Sequence, residues 1–332
     1  MIKPIFWKDK SLYIIDQTKL PESYSEIEIN DHFEMARAIK ELSIRGAPAI
    51  GIGAAFGLAV GLRQYQTLPK NKFYSKLDEI YDILSETRPT AVNLEWALTR
   101  MKSKALANQD KSNSQVITIL IKEAQKIHQE DINSCVAIGE NGAALLSKNS
   151  NILTHCNTGG LATGGLGTAL GIIITAHHQN KIQKIFVDET RPLLQGARLT
   201  MWELRQEEVP AILNIDSSAG FIMKNKNIEA VIVGADRIAK NGDVANKIGT
   251  YSLAVLADFH NIPFYVAAPT STIDNNIESG GQIPLEHRSE QEIKYIGNQL
   301  IAPQNSEALS PAFDITPNNL ISAIITEEKI IK

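Results

Sequence analysis

The spacing of hydrophobic positions changes character twice along this chain. Short alternating runs open it, at Leu12-Tyr13-Ile14-Ile15-Asp16 and Glu26-Ile27-Glu28-Ile29, around turn-like residues at Lys8-Asp9-Lys10 and Leu20-Pro21-Glu22. A period of two predicts a small antiparallel sheet. From Asp31 the period becomes helical: Met35, Ala38, Ile39 and Leu42 share a face, and Asp31 is a good N-cap. Further helices are predicted from Pro48 to Leu62, around Phe73 to Leu84 and around Val92 to Ala107. The polar stretch Asn108 to Ser114 reads as a surface loop, and a long helical segment runs from Gln115 to Ser147.

Beyond that helix the pattern changes again. Short apolar runs at Asn151 to Thr154, Lys184 to Val187, Val209 to Asn214, Ala230 to Val233 and Ile262 to Ala267 alternate with amphipathic stretches such as Leu193 to Gln206 and Asn246 to His260. Near-continuous hydrophobic strands with helices between them predict a parallel sheet covered on both faces. The expected fold is α/β, with a Rossmann-like domain over residues 146–332. A mainly helical domain with a small antiparallel sheet precedes it over residues 1–145.

Composition narrows the function. The chain has 332 residues, 43% hydrophobic and 21% charged, which suits two domains with cores of their own. A net charge of -4 leaves no basic surplus for a nucleic-acid backbone or an anionic membrane surface, so neither is an expected partner. No stretch approaches ~18 uninterrupted apolar residues, and the first ten residues are too polar for a signal peptide. Two cysteines cannot make a disulfide framework, and their spacing from Cys135 to Cys156 fits no zinc pattern, so a reducing compartment, the cytoplasm, is expected. No phosphate-loop, zinc or calcium pattern occurs, and no metal is expected.

Candidate chemistry collects at strand ends. The run Ile152-Leu153-Thr154-His155-Cys156-Asn157-Thr158-Gly159-Gly160 reads as a buried strand opening into a glycine-rich turn and a helix, with Cys156 where a helix N-terminus lowers a thiol pKa. On position alone a buried cysteine serves equally well as packing. His155, Asp188-Glu189, Asp216, Gly234-Ala235-Asp236 and Pro269-Thr270 fall at the carboxyl ends of other predicted strands, where parallel sheets bind ligands. Asp236 follows an apolar strand and two small residues, a setting that makes it a candidate general acid; the plainer alternatives are an ion pair with Arg237 or a helix cap. Asn246-Lys247 is predicted to open a helix, where the lysine can hold a phosphate. Arg45 lies among apolar residues with glycine and proline and wants an anion, Gly46 and Ala47 offer backbone amides, and Arg88 sits on a turn; structural ion pairing is the alternative for both arginines. Gly165-Leu166-Gly167-Thr168-Ala169-Leu170-Gly171 has a dinucleotide-like spacing, with Asp188 ending the next strand. Its fit is imperfect because polar side chains from His155 to Thr158 stand between strand and glycines.

Longer segments carry a resemblance. IRGAPAIG at 44–51, TRPTAVNLEWAL at 87–98, THCNTGGLATGGLGTALG at 154–171, VDETRPLLQGARLTMWEL at 187–204, GADRIAKNGDVANKIGTYSLAVLA at 234–257, IPFYVAAPTSTID at 262–274 and PAFDITPNNLISAIIT at 311–326 resemble, in order and over nearly the whole chain, the methylthioribose-1-phosphate isomerase family. That family shares its fold with ribose-1,5-bisphosphate isomerases and with regulatory subunits of translation initiation factor 2B. The resemblance implies a cytoplasmic aldose-ketose isomerase of methionine salvage, acting on a sugar phosphate without a cofactor, and a homodimer. It implies Cys156 and Asp236 as catalytic residues, and Arg45, Gly46, Ala47, Arg88, Gln195, Asn246 and Lys247 as substrate-binding residues. Leu166 stands where an aromatic is familiar and Ser217 where asparagine is, departures that touch neither the thiol nor the acid. The rival readings are a ribose-1,5-bisphosphate isomerase, a dinucleotide enzyme and a regulatory subunit without catalysis.

Overall fold

The alternating runs at the start form three antiparallel strands in the computed structural model, which describes residues 2–88 and 91–332. They are β1 (Ile5–Lys8), β2 (Ser11–Ile15) and β3 (Glu26–Ile29), and their alternation sends Ile5, Leu12, Ile14 and Ile29 into the core. Helix α1 (His32–Lys40) starts where Asp31 predicts. The Asp31 carboxylate accepts the Glu34 N–H at 2.8 Å, while the Glu34 carboxylate reaches back to the Asn30 N–H at 2.7 Å. Four more helices follow: α2 (Ala47–Gly61), α3 (Lys70–Ser85), α4 (Val92–Leu106) and α5 (Asn113–Ala143). α2 is apolar all round and buried nearly throughout, so α1, α3, α4 and β1 pack about it as a central post.

The chain divides into two compact units. The first comprises Met1–Val136 with Gly160–Gly167, and the second comprises Ala137–Gly159 with Thr168–Lys332. In the second unit the predicted strands appear as β4 (Ser150–Thr154), β5 (Ile182–Asp188), β6 (Ala211–Asn214) and β7 (Ile228–Val233), separated by α6 (Ala169–His178), α7 (Met201–Gln206) and α8 (Ala219–Asn225). After β7 come β8 (Arg237–Ala239), β9 (Val244–Lys247), α9 (Thr250–Phe259), β10 (Phe264–Ala267) and β11 (Ile273–Asp274). A short α10 (Gln291–Lys294) leads into the hairpin β12 (Tyr295–Ile296) and β13 (Gln299–Leu300), and then β14 (Phe313–Thr316), β15 (Ala323–Ile325) and β16 (Ile330–Ile331) complete the chain.

The result is a mixed α/β fold built on a seven-stranded sheet in the order β16-β15-β10-β7-β4-β5-β6, parallel except for the edge strand β16. Leu153, Val231, Val233 and Val266 are fully buried, as continuous apolar strands covered on both faces require. A second sheet, β11-β8-β9-β14, lies outside the sequence expectation. No described helix is long and apolar enough to cross a membrane.

Gly46 shows how tightly α2 is seated. It precedes the helix at φ 93°, a region favourable only to glycine, and a Cβ there would come within 2.4 Å of the Ala162 carbonyl oxygen. Gly46→Ala is therefore expected to cost about 2–4 kcal/mol, from backbone strain and overpacking together. Urea unfolding with an unchanged m-value checks this.

Candidate active site

The sheet fills outward from β4 through β5 to β6, then restarts at β7 on the opposite side of β4. Such a reversal leaves a crevice beyond the carboxyl ends of the two strands that flank it. Cys156 lies just past β4, and Asp236 just past β7. The Thr154 hydroxyl donates to the Ile232 carbonyl oxygen at 2.8 Å and locks these strands in register.

Cys156 sits in a strained turn. Its φ is 63°, left-handed for a residue with a side chain, at a cost of about 1 kcal/mol. Two bonds hold it there: its N–H donates to Thr190 Oγ1 at 2.8 Å, and its carbonyl accepts the Thr200 hydroxyl at 2.6 Å. The expected helix N-terminus is not at this position, because α6 begins only at Ala169 and the intervening chain turns through Gly160–Gly167. The thiol owes its placement to the turn rather than to a helix dipole. Beside it, the Asn157 amide donates to Glu203 Oε1 at 2.8 Å, and Glu203 is 1% exposed.

Asp236 is half-buried between β7 and β8, and its N–H donates to the Ala245 carbonyl at 2.9 Å. The β8–β9 hairpin therefore lays Asp236 beside Asn246 and Lys247. Contrary to expectation, Asn246-Lys247 does not open a helix; both residues end β9, pairing with Asp314 and Phe313 of β14. That partner is distant in sequence, so local periodicity could not show it. Helix α9 starts after Gly249, whose φ is 105°, and Asp314 accepts the N–H groups of Gly249 at 2.7 Å and Tyr251 at 3.1 Å. Asn246 donates to Thr250 Oγ1 at 2.9 Å, and the buried Lys247 ammonium lies 5.0 Å from the centre of the Phe313 ring.

Gln195 stands at the start of the helical segment that the sequence predicts, just after a turn the sequence reads as its first residues. Thr190 and Leu194 are left-handed, the Asp216 carboxylate takes the Thr190 and Arg191 N–H groups at 2.7 Å each, and helical structure starts at Gly196. Gln195 is 5% exposed, and its Oε1 is buried with no hydrogen-bond partner among the described residues. The remaining expected binding residues lie in the first unit. Gly46 and Ala47 form the N-terminus of α2, Arg45 beside them is buried and Arg88 is half-buried. Pro89 and Thr90, the rest of the expected Arg88 turn, lie outside the described residues.

His155 is the residue whose role sequence reasoning left undefined. Its Nδ1 lies 3.1 Å from Asp188 Oδ2 and its Nε2 lies 2.9 Å from the Ile248 carbonyl oxygen, while Asn214 donates to Asp188 Oδ1 at 2.6 Å. Burial pulls the imidazole pKa down, but the Asp188 bond and charge, the Ile248 carbonyl and the Asp216 charge outweigh it and leave it raised. His155, Asp188 and Asp216 place ligand-type atoms within 4.8 Å of one another, yet both ring nitrogens and both Asp216 oxygens are already engaged in these bonds. They form a hydrogen-bond network. Thr190, Glu203 and Asp314 also went unassigned from sequence, because each acts on backbone or amide groups that leave no periodic signal.

Cys156 follows β4 and Asp236 follows β7, the two strands that flank the sheet reversal, and Lys247 ends the strand beside Asp236. The chain belongs to the initiation factor 2 subunit family, whose sequence profile matches residues 43–332. It is 50% identical over 327 residues to a methylthioribose-1-phosphate isomerase from Desulforamulus reducens, covering 98% of this chain and 94% of that one. A crystal structure of 5-methylthioribose 1-phosphate isomerase from Pyrococcus horikoshii superposes with a TM-score of 0.92 at 42% identity, covering 99% of this chain and 92% of that one. A second, named as translation initiation factor eIF-2B subunit delta from A. fulgidus, gives 0.87 at 42% identity, covering 99% and 96%.

The raised pKa of His155 has a sign that can be checked. Its contribution to stability is complete below the ordinary imidazole value of ~6.5 and is lost as pH rises through the folded value. The stability gap between the protein and His155→Gln should therefore narrow from pH 6 to pH 9 in urea unfolding.

Proposed function

We propose that this chain is an aldose-ketose isomerase that converts 5-methylthioribose 1-phosphate into 5-methylthioribulose 1-phosphate. The observation that carries the reading is the placement of Cys156 and Asp236 past adjacent strands, on either side of the sheet reversal. The buried Gln195 oxygen adds support, since an acceptor without a partner suits a sugar hydroxyl. In this reading the second unit, Ala137–Gly159 with Thr168–Lys332, acts as a Rossmann-like catalytic domain, its division from the helical unit falling inside α5 rather than near residue 145. A dinucleotide role for the fold is less well supported. The acid at the tip of β5 that would meet a ribose is Asp188, 1% exposed and bonded through both oxygens.

The chemistry explains the residues. Phosphate blocks the anomeric oxygen of the substrate, so the sugar cannot open to a free aldehyde. Asp236 gives a proton to the ring oxygen as its bond to C1 breaks. Cys156 assists transfer of hydrogen from C2 to C1, and the C2 hydroxyl loses its proton as the ketone forms, returning the balance to Asp236. The second unit offers Lys247 to the phosphate and Gln195 and Asn246 to the sugar; the first unit offers the Arg45 and Arg88 guanidinium groups and the Gly46 and Ala47 backbone as anion-binding groups of its own. Two routes deliver the C2 hydrogen, a proton through an enolate-like intermediate or a hydride shift. Complete washout of deuterium from C2 would exclude direct hydride migration.

Assay with 5-methylthioribose 1-phosphate beside ribose 1,5-bisphosphate tests the reading, and preferred turnover of the first is expected. Its likeness to the A. fulgidus subunit favours a regulatory role as the second reading, which predicts turnover of neither sugar. Cys156→Ala and Asp236→Asn should each lower kcat by about 10²–10⁴-fold with the fold retained. Near-normal rates would remove these roles. We also propose a homodimer, because Tyr251, Val255 and Phe259 line an exposed stripe on α9 and Phe259 is 78% exposed. Sedimentation equilibrium should give a dimer that Phe259→Glu weakens.

A further inference from the structure

His155 stands between the two halves of the catalytic apparatus proposed above. On one side its ring contacts Asp188; the Asp188 carbonyl accepts the Thr190 hydroxyl at 3.0 Å, and that hydroxyl oxygen accepts the Cys156 N–H. On the other side Nε2 meets the carbonyl of Ile248, the residue after Lys247. The turn there is shaped around the ring. Gly249 adopts φ 105°, and a Cβ on it would lie 2.9 Å from His155 Cε1, so only glycine lets backbone and imidazole meet. Asp314 then secures the far side of the same turn through Gly249 and Tyr251.

We propose that His155 is a positioning residue of the reaction: its ring ties the strained Cys156 turn, through Asp188 and Thr190, to the turn that carries Lys247, so that thiol and ammonium keep one spacing. The inference rests on the isomerase reading. A bridge of this kind matters because misplacing a reacting group by about 1 Å can cost about 10²-fold in rate. Both ring nitrogens face acceptors, so the pair must hold a proton on each contact. Imidazolium with carboxylate satisfies this, and so does any partner that donates to Nδ1. Asparagine at 188 is such a partner: its amide donates to Nδ1, its carbonyl still accepts Asn214, and neutral imidazole keeps its Nε2 proton for Ile248. The other charged groups around the ring, Asp216 and Asp314, stay in place.

The variants His155→Ala, Asp188→Ala and Asp188→Asn separate bridging from mere packing. His155→Ala loosens both turns and should lower kcat and raise KM, with kcat/KM down about 100-fold. Asp188→Ala keeps the Ile248 bond, so kcat should fall while KM stays within threefold of the parent. Asp188→Asn should stay within threefold on both. Equal losses in Asp188→Asn and Asp188→Ala would overturn the proposal, as would a parental His155→Ala. If His155→Ala fails to fold, the two Asp188 variants decide. Should the parent turn over no sugar, the functional reading fails and iodoacetamide labelling of Cys156, read by peptide mass spectrometry, takes over. Labelling at least tenfold faster in Asp188→Ala than in Asp188→Asn supports the bridge, and equal rates overturn it.

Discussion

Strand β4 carries parallel ladders on both edges, and the arrangement of the candidate site follows from that double pairing. Thr154 stands level with Val187 on one side and Ile232 on the other. A slip of one residue in β4 would turn its side chains to the opposite face and break two ladders at once, so the register has no near alternative. Because it is held, the residues just past β4, β5 and β7 emerge at one edge of the sheet. Those residues are Cys156, Glu189 and Asp236. The positions of the thiol, the acid and the His155–Asp188 pair are thus products of strand alignment before any of them interacts with a ligand.

What the sequence disclosed and what it hid divide along the range of the interaction. The helices α1 to α5 and the strands β4 to β7 were legible because each is specified by its own spacing of apolar residues. Polar residues interrupting apolar strand ends marked Cys156 and Asp236 for the same reason. The β9–β14 pairing joins Lys247 to Phe313, and no local pattern announces a partner so far along the chain. The helical stretch expected from Leu193 to Gln206 ends where its spacing predicts but starts about two residues late, because the Asp216 carboxylate captures the Thr190 and Arg191 amides in a turn ahead of it. Thr190, Glu203 and Asp314 stayed hidden because they bind amide or backbone groups, which every sequence supplies.

Burying so many polar groups costs stability. Glu203, Asp188 and His155 are each at most 2% exposed, and an unpaired charge at such sites would cost several kcal/mol. Each is instead given a specific partner: Asn157 for Glu203, and Asn214 with His155 for Asp188. Fully bonded networks in a low-dielectric interior are rigid, because moving one member strands another. The left-handed backbone of Cys156 needs that rigidity, since the turn would relax without the bonds from Thr190 and Thr200.

The same fold serves proteins named as isomerases and proteins named as initiation-factor subunits, so architecture alone cannot decide between turnover and regulation. The local costs can. A regulatory scaffold gains nothing from holding a cysteine in a strained turn or from burying the Gln195 oxygen with no donor among the described residues, at a cost of about 1–3 kcal/mol. The second cost is offset if a polyhydroxylated ligand enters and a hydroxyl satisfies Gln195. The strained turn and the buried acceptor point together to a polyhydroxylated ligand, and that convergence favours catalysis over scaffolding.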